Sequence, residues 1–479
     1  MSSGQVLPDP ATTASSRTQL VRILPAQGLG TAQAVKHVQQ VVEPALNQSS
    51  QSPNYYGFVT GGSTRAASLA DELVTRYDQN VAVHLPGEAI TTDVEDAALL
   101  QLLDLVKLPQ DEWKHRIFTT GATASNVLGL ASGREWVISE AAKRQGTTAN
   151  ISEDGIHEAM KKADIDSIQI LTTLPHSSLG KAASIVGLGR NSVKSLGLYQ
   201  SPWNFAVDAL EEALATPRTA SIIAISAGEV NTGFFATTAG DLVKIRELAD
   251  KYHAWIHVDA AFGLQSRLLP TDKNEYAVLT QGVADLELAD SITGDAHKLL
   301  NVPYDCGIFF SRHLDIGTSV FQNAGAAYFS SSATDMPSPS SVGIENSRRF
   351  RALPVYSTLL AHGRDGYLSI LEKQIALARG IATFIQSEPA LELLPRFPPS
   401  FRRVKEGWLN RIYIIVLFRA ANDTENETLV QKINATRRIY VSGTVWDGRP
   451  AARFAVSNWQ VDVERDLRLI KEVLWQVLD

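Results

Sequence analysis

From residue 167 onward the chain alternates short apolar runs with amphipathic segments, and that alternation restricts the fold more than any other feature. Residues 167–173 read as a strand, 176–186 as a helix, 193–198 as a short strand and 207–215 as a helix. A buried strand follows over 220–226, with Ile222 and Ile223 at its centre. A helix over 242–253 and a strand over 254–258, ending at Asp259, complete the run. Such alternation implies an α/β architecture, a mostly parallel sheet wrapped by helices. Ligands of these sheets sit at the carboxyl ends of the strands. Three polar residues fall at such ends: His176, Ser226 and Asp259.

Upstream, Arg116-Ile-Phe-Thr-Thr-Gly-Ala-Thr-Ala-Ser-Asn126 runs from an apolar pair into a small-residue turn, and 127–139 is helical in pattern despite its glycines. The free N–H groups and positive dipole end of that helix suit a phosphate. The same turn also reads as a plain helix cap, a place that Ser and Thr favour. Pro53-Asn-Tyr-Tyr-Gly-Phe-Val-Thr-Gly-Gly62 is a loop with aromatic walls. Its rings either line an apolar pocket or pack as a core cluster. Residues 65–78 and 93–107 read as helices, and 31–42 as a short amphipathic piece. The first 16 residues, rich in Ser, Thr, Pro and Gln, read as a frayed or partner-clasping arm.

The segment Ser291-Ile-Thr-Gly-Asp-Ala-His-Lys-Leu-Leu-Asn-Val-Pro-Tyr-Asp-Cys-Gly307 sets Lys298 beside apolar neighbours. A buried lysine loses its proton readily, and the neutral amine forms Schiff bases. A lysine paired with a carboxylate at the end of a buried element accounts for the same residues. Cys306 is the single cysteine, so an intramolecular disulfide is impossible and a reducing compartment fits. Its setting, Tyr304-Asp-Cys-Gly-Ile-Phe-Phe310, looks like a strand entering the core, where a thiol is an inert small hydrophobe.

With 479 residues the chain has room for two or three domains. A net charge of −7 argues against a binder of nucleic acid that relies on phosphate neutralisation. No window is apolar for long enough to span a bilayer, and the N-terminus lacks the apolar core of a secretory signal. The cytoplasm is therefore the expected location, and no metal is expected. Residues 328–345 form a Ser/Pro-rich loop of the length that serves as a lid or binding loop. Beyond it, helical character to about 387, strands over 411–418, 440–442 and 452–457, and a closing helix over 461–478 suggest a small α+β domain. The expected division is an N-terminal arm over 1–64, a large domain over 65–352 and a small domain over 353–479.

Taken together, the strand-end carboxylate, the downstream lysine, the upstream Gly/Thr/Ser turn and the intervening histidine resemble the group II pyridoxal-phosphate (PLP)-dependent amino-acid decarboxylases of fold type I, the group that includes the aromatic-amino-acid enzymes. The resemblance runs from about Pro53 to Trp459. Its most specific parts are His257-Val-Asp-Ala-Ala-Phe-Gly263 and Asp295-Ala-His-Lys-Leu-Leu-Asn-Val-Pro-Tyr-Asp-Cys-Gly307. Thr120-Gly-Ala-Thr-Ala-Ser-Asn126, His176-Ser-Ser-Leu-Gly-Lys-Ala-Ala183, Ala227-Gly-Glu-Val-Asn-Thr-Gly233, Ser347-Arg-Arg-Phe-Arg351 and Val456-Ser-Asn-Trp459 support it.

The resemblance implies that Lys298 holds PLP as a Schiff base and that Asp259 pairs with the pyridine nitrogen. It implies His176 stacked on the ring and Ser226 near it. Gly121, Ala122, Thr123 and Ala124 would cradle the phosphate, with a further contact from His297. Tyr55, Tyr56, Phe58 and Thr60 would shape a substrate pocket for an apolar or aromatic amino acid. An obligate homodimer with its active site at the subunit interface is implied too. Arg348, Arg349 and Arg351 match a family segment and read as structural.

Three departures bear on the reaction. Aromatic-amino-acid members carry a tyrosine on the mobile loop, but Pro337-Ser-Pro-Ser-Ser-Val-Gly-Ile344 has none, leaving Tyr328 as a substitute proton donor. Glu229 reads as a solvated turn residue. Asp295 stands where an asparagine is common, although a branch with Asp-Ala-His-Lys exists. The reading is thus an amino-acid decarboxylase, with two alternatives. One is a PLP enzyme of another outcome: aldehyde formation, C–C bond formation, or lyase or aldolase chemistry without decarboxylation. The other is a catalytically silent scaffold, which need not have kept Lys298, Asp259 and His176.

Overall fold

The protein is described by a computed structural model over residues 4–323, 336–396 and 407–478. The chain groups into two compact units, one drawn from 1–62, 373–397 and 414–479 and a larger one from 63–372 and 398–413.

The larger unit is built on a seven-stranded sheet. Its strands are β1 (His115–Thr119), β2 (Ser167–Thr172), β3 (Val193–Ser195), β4 (Thr219–Ser226), β5 (Trp255–Asp259), β6 (Ser291–Asp295) and β7 (Gly307–Ser311), in the spatial order β1-β7-β6-β5-β4-β2-β3. The pairings through β3, β2, β4, β5 and β6 are parallel, while β7 runs antiparallel to both β6 and β1. This is the expected α/β fold with a mostly parallel sheet. All five residues of β6 and of β7 are buried, as befits strands covered on both faces.

Helices α1 (Ala122–Arg144), α2 (Ser177–Ile185), α3 (Val207–Leu214) and α4 (Asp241–Tyr252) supply the connections the alternation called for. Helix α1 continues past the expected 127–139 because its glycines are contact points, not breaks. A Cβ on Gly129 would stand 2.3 Å from the His257 ring, and one on Gly133 would stand 2.8 Å from Trp255. Missing side chains at these positions, four apart on one helix face, let α1 lie close against β5. The strand expected over 193–198 pairs only through Ser195; beyond it Gly197 forms an isolated bridge with Phe205.

The register aligns the carboxyl ends. Ser226 is opposite Asp259, Asp259 is opposite Thr293, and Asp295 and Thr119 both face Gly307. The candidate residues thus lie along one edge of one sheet.

The smaller unit holds a five-stranded sheet in the order Tyr55–Tyr56, Tyr440–Trp446, Arg449–Ala455, Ile415–Ala420 and Leu391–Leu394. The helix Val463–Leu478 buries Ile470, Val473 and Leu474. The strand expected over 411–418 starts only at Ile415. Ile412, Tyr413 and Ile414 are buried ahead of the strand, because an apolar run reports burial and not where a strand begins. The N-terminal arm is not frayed over its described part. Val6 is fully buried, its amide donates to Arg437 O at 2.8 Å, and Pro10–Gln19 is helical. The helix Ala352–Ser387 matches the helical run expected to 387 and is broken at Gly363, where φ is 59°. Among the described residues, no helix is long and apolar enough to cross a membrane.

Candidate active site

Asp259 closes β5 with its carboxylate at the sheet edge. Its Oδ1 accepts from the Ala261 amide at 3.2 Å, and its Oδ2 accepts from Asn126 Nδ2 at 2.9 Å. Behind it runs a directed chain of hydrogen bonds. Trp255 Nε1, which can only donate, reaches Ser291 Oγ at 3.0 Å. Ser291 Oγ lies 2.8 Å from His257 Nδ1, and His257 Nε2 lies 2.9 Å from Asn126 Oδ1. Since Asn126 donates to Asp259, its carbonyl oxygen must accept from His257, so the proton sits on Nε2 and Ser291 donates to Nδ1. The order Trp255, Ser291, His257, Asn126, Asp259 delivers every donor towards the carboxylate.

Burial holds His257 neutral, pushing its pKa from 6.5 to about 4. His115, buried at the start of β1 with Nε2 donating to Val342 O at 2.7 Å, is likewise pushed to about 4. Both values lie below the unfolded one, so protons bind first to the unfolded chain. Stability from these two residues is complete above pH 6.5 and is lost as pH falls towards about 4. Each histidine contributes a slope of up to about 1.4 kcal/mol per pH unit within that window. Urea unfolding between pH 7.5 and 4.5 should show this loss, flattened in His257→Gln; a flat native profile would contradict it.

His176, Ser226 and Asp259 line one small pocket together with Pro175 and Leu179. His176 caps α2, its Nδ1 accepting from the Ser178 amide at 3.2 Å, and its ring is exposed to the pocket mouth. Next along the edge, β6 ends in Asp295 and passes into the short helix Ala296–Leu299. Lys298 Nζ lies 2.9 Å from Asp295 Oδ2 and 5.7 Å from the centre of the Phe262 ring. The His297 ring packs at a tilt against Tyr304, with ring centres 4.5 Å apart, and its Nδ1 accepts from the Cys306 amide at 3.3 Å. Burial lowers the His297 pKa, and Asp295 opposes that shift.

The cofactor cradle can be tested on the backbone. The opening amides of α1, at Ala122, Thr123 and Ala124, have no intrahelical acceptor by position. Gly121 precedes them with φ 153°, and a Cβ there would sit 3.4 Å from His297 Cε1. One on Gly307 would stand 2.4 Å from Thr119 Oγ1 and 2.5 Å from Gly121 Cα, so two backbones meet where no side chain fits. A helix N-terminus, a lysine and a carboxylate along one sheet edge have the chemistry that a phosphorylated pyridine aldehyde requires.

Tyr55, Tyr56, Phe58 and Thr60 lie in the smaller unit. Tyr55 stacks on Tyr440 at 4.5 Å, and Tyr56 is buried with its ring 5.3 Å from Phe454. Thr60 is buried, whereas Phe58 is 65% exposed. Tyr328 lies outside the described residues. Glu229 corrects one expectation: it occupies a turn but is buried, accepting from the Asn231 and Thr232 amides at 3.0 and 2.8 Å. Those amides satisfy the carboxylate within its own turn. Cys306 is buried and its pKa is driven upward by desolvation, which leaves an inert thiol. Arg348 is bound to Glu95 at 2.9 Å and to two backbone carbonyls, Arg349 to Asp71 at 2.7 Å, and Arg351 to Asp305 at 2.8 Å.

Residue-by-residue reading missed Asn126 and Ser291 as supports of Asp259. For His257 a signal existed, since it lies two residues before Asp259 and so on the same strand face. Asn126 carries no such mark, because its link to Asp259 spans 133 positions.

Fold and site define a pyridoxal-phosphate enzyme of fold type I. The chain matches the pyridoxal-dependent decarboxylase conserved domain over residues 16–396 and belongs to that family. It is 29% identical to an L-2,4-diaminobutyrate decarboxylase of Acinetobacter baumannii over 401 residues, 80% of this chain and 73% of the relative. It is 23% identical to the aromatic-L-amino-acid decarboxylase of Mus musculus, over 88% of this chain and 82% of the relative. Its fold superposes on the crystal structure of Oryza sativa TDC with PLP and tryptamine with a TM-score of 0.80 at 20% identity, covering 99% of this chain and 93% of that one. The protein is thus a PLP-dependent carboxy-lyase whose relatives act on chemically diverse amino acids.

Proposed function

We propose that this enzyme converts an apolar or aromatic L-amino acid to its amine and CO₂. The observation that carries the reading is the convergence of His176, Ser226 and Asp259 on one pocket, with Lys298 following the strand next to Asp259. When bound, pyridoxal phosphate supplies an electron sink for the pair released as the bond from Cα to the carboxylate breaks.

The chain's own residues do the rest. Lys298 Nζ is the point of covalent attachment. The amides of Thr123 and Ala124, with Gly121, Ala122 and His297 around them, receive the phosphate. Asp259 holds a proton on the pyridine nitrogen, and the donors converging from Asn126 and the Ala261 amide keep its carboxylate aimed. The exposed ring of His176 covers one cofactor face and shields it from water. The apolar or aromatic substrate class rests on the match of Tyr55, Tyr56, Phe58 and Thr60 to the family segment that shapes the substrate pocket. The segment's arginines are all engaged by carboxylates, which disfavours a substrate with an acidic side chain. The reading includes a homodimer, on the strength of the family resemblance, and a cytoplasmic location, on the strength of the single cysteine.

A second outcome is favoured by the absence of tyrosine from 336–345. Amine formation needs a proton delivered to Cα; without a donor, oxygen can accept the electrons instead. One amino acid, one O₂ and one water would then give an aldehyde, CO₂, ammonia and hydrogen peroxide. Incubation with an amino-acid panel that includes L-2,4-diaminobutyrate separates the readings. CO₂ with an equal amount of amine supports the proposed reaction, and CO₂ with aldehyde and peroxide in place of amine overturns it in favour of the oxidative outcome. Amine from diaminobutyrate but not from aromatic substrates overturns the substrate class alone.

A further inference from the structure

Asp295 has no part in the chemistry proposed above, yet its side chain is only 3% exposed. Its Oδ1 accepts from the Ala122 amide at 2.6 Å, in the first turn of α1. Its Oδ2 lies 2.9 Å from Lys298 Nζ and 3.6 Å from His297 Nε2. As the last residue of β6 and the residue that opens the next helix, it is held by backbone on both sides. The carboxylate therefore occupies three groups that a phosphorylated aldehyde would also need: an opening amide of α1, the lysine and the histidine. Two anions at one buried helix end repel strongly, because little water stands between them.

We propose that Asp295 is an internal competitor for the cofactor's phosphate, a positioning residue that makes cofactor capture proceed against a carboxylate already seated at the α1 N-terminus. This rests on the reading that α1 receives the phosphate and Lys298 the aldehyde carbon. Loading of the enzyme then depends on the cofactor concentration around it, and free phosphate meets the same opposition.

Asp295→Asn tests this, since the amide keeps an acceptor for the Ala122 N–H and removes the charge. Full-length native and variant proteins, freed of cofactor, are titrated with PLP, with pyridoxal lacking the phosphate, and with inorganic phosphate. Binding is followed by tryptophan fluorescence and cofactor absorbance. The variant is expected to bind PLP at least about tenfold more tightly and inorganic phosphate more tightly too, with pyridoxal changed by less than about threefold. Equal or weaker PLP binding overturns the proposal, as does a gain for pyridoxal as large as that for PLP. If the Asn variant does not fold, Asp295→Ser must show the same order of gains. Unfolding of both also overturns it, since the carboxylate would then be a structural requirement. Borohydride reduction of the loaded native protein, followed by peptide mapping, separates this inference from the reading beneath it. A tag on Lys298 without tighter binding in the variant removes the inference alone; a tag elsewhere removes both.

Discussion

Lys298→Ala is expected to lose pyridoxal phosphate on dialysis and to lower turnover by roughly 10⁴-fold or more. The residue follows β6 by one helical turn, beside the strand that ends in Asp259. On the proposed reading, alanine removes both the covalent anchor and a base placed to move protons at the reacting carbon. It also leaves Asp295 buried without its ammonium partner at 2.9 Å, so a measurable fall in thermal stability should accompany the loss. Cofactor absorbance before and after dialysis, read beside single-turnover kinetics, checks both effects. A variant that retained bound cofactor and normal turnover would refute the assignment of this site.

Asp259→Asn is expected to keep the cofactor on Lys298 but to lower kcat by about 10²- to 10³-fold, a loss of some 3–4 kcal/mol of transition-state stabilisation. The side chain shape is kept, and Asn126 Nδ2 can still donate to its oxygen, so the change removes charge more than structure. Without the carboxylate the pyridine nitrogen has no partner to keep its proton, and electrons leaving Cα are less well received. A fall in kcat with little change in KM, in protein whose cofactor still maps to Lys298, is the expected pattern. An unchanged kcat would show that Asp259 is not the ring's partner.

Much of this architecture is legible in the residues themselves. Short apolar runs over 167–173, 220–226 and 254–258 report burial on both faces, and the helical segments between them report crossovers, so a mostly parallel sheet follows from local pattern alone. Helix α1 reads less clearly, because Gly129 and Gly133 look like interruptions until the rings of His257 and Trp255 are seen against them. The run over 412–414 misleads for a related reason: apolar residues are buried whether or not they belong to a strand. The buried state of Glu229 was hidden because amides two and three residues ahead, which no hydropathy pattern records, replace the water it gives up.

By itself the sequence determined the class of fold, the strand ends at which chemistry can sit, and the residues Lys298, Asp259 and His176 as the ones to watch. It could do so because strand ends are set by local pattern and by a few residues of distinctive chemistry. Only the tertiary structure decided which groups act on one another. The relay from Trp255 through Ser291, His257 and Asn126 to Asp259 joins two strands and a helix, and each step needs a donor to meet an acceptor within about 3 Å. The seating of Asp295 on α1 joins positions 173 residues apart. Hydrogen bonds and buried charges act over a few ångströms of space, and along the chain that nearness leaves no local mark.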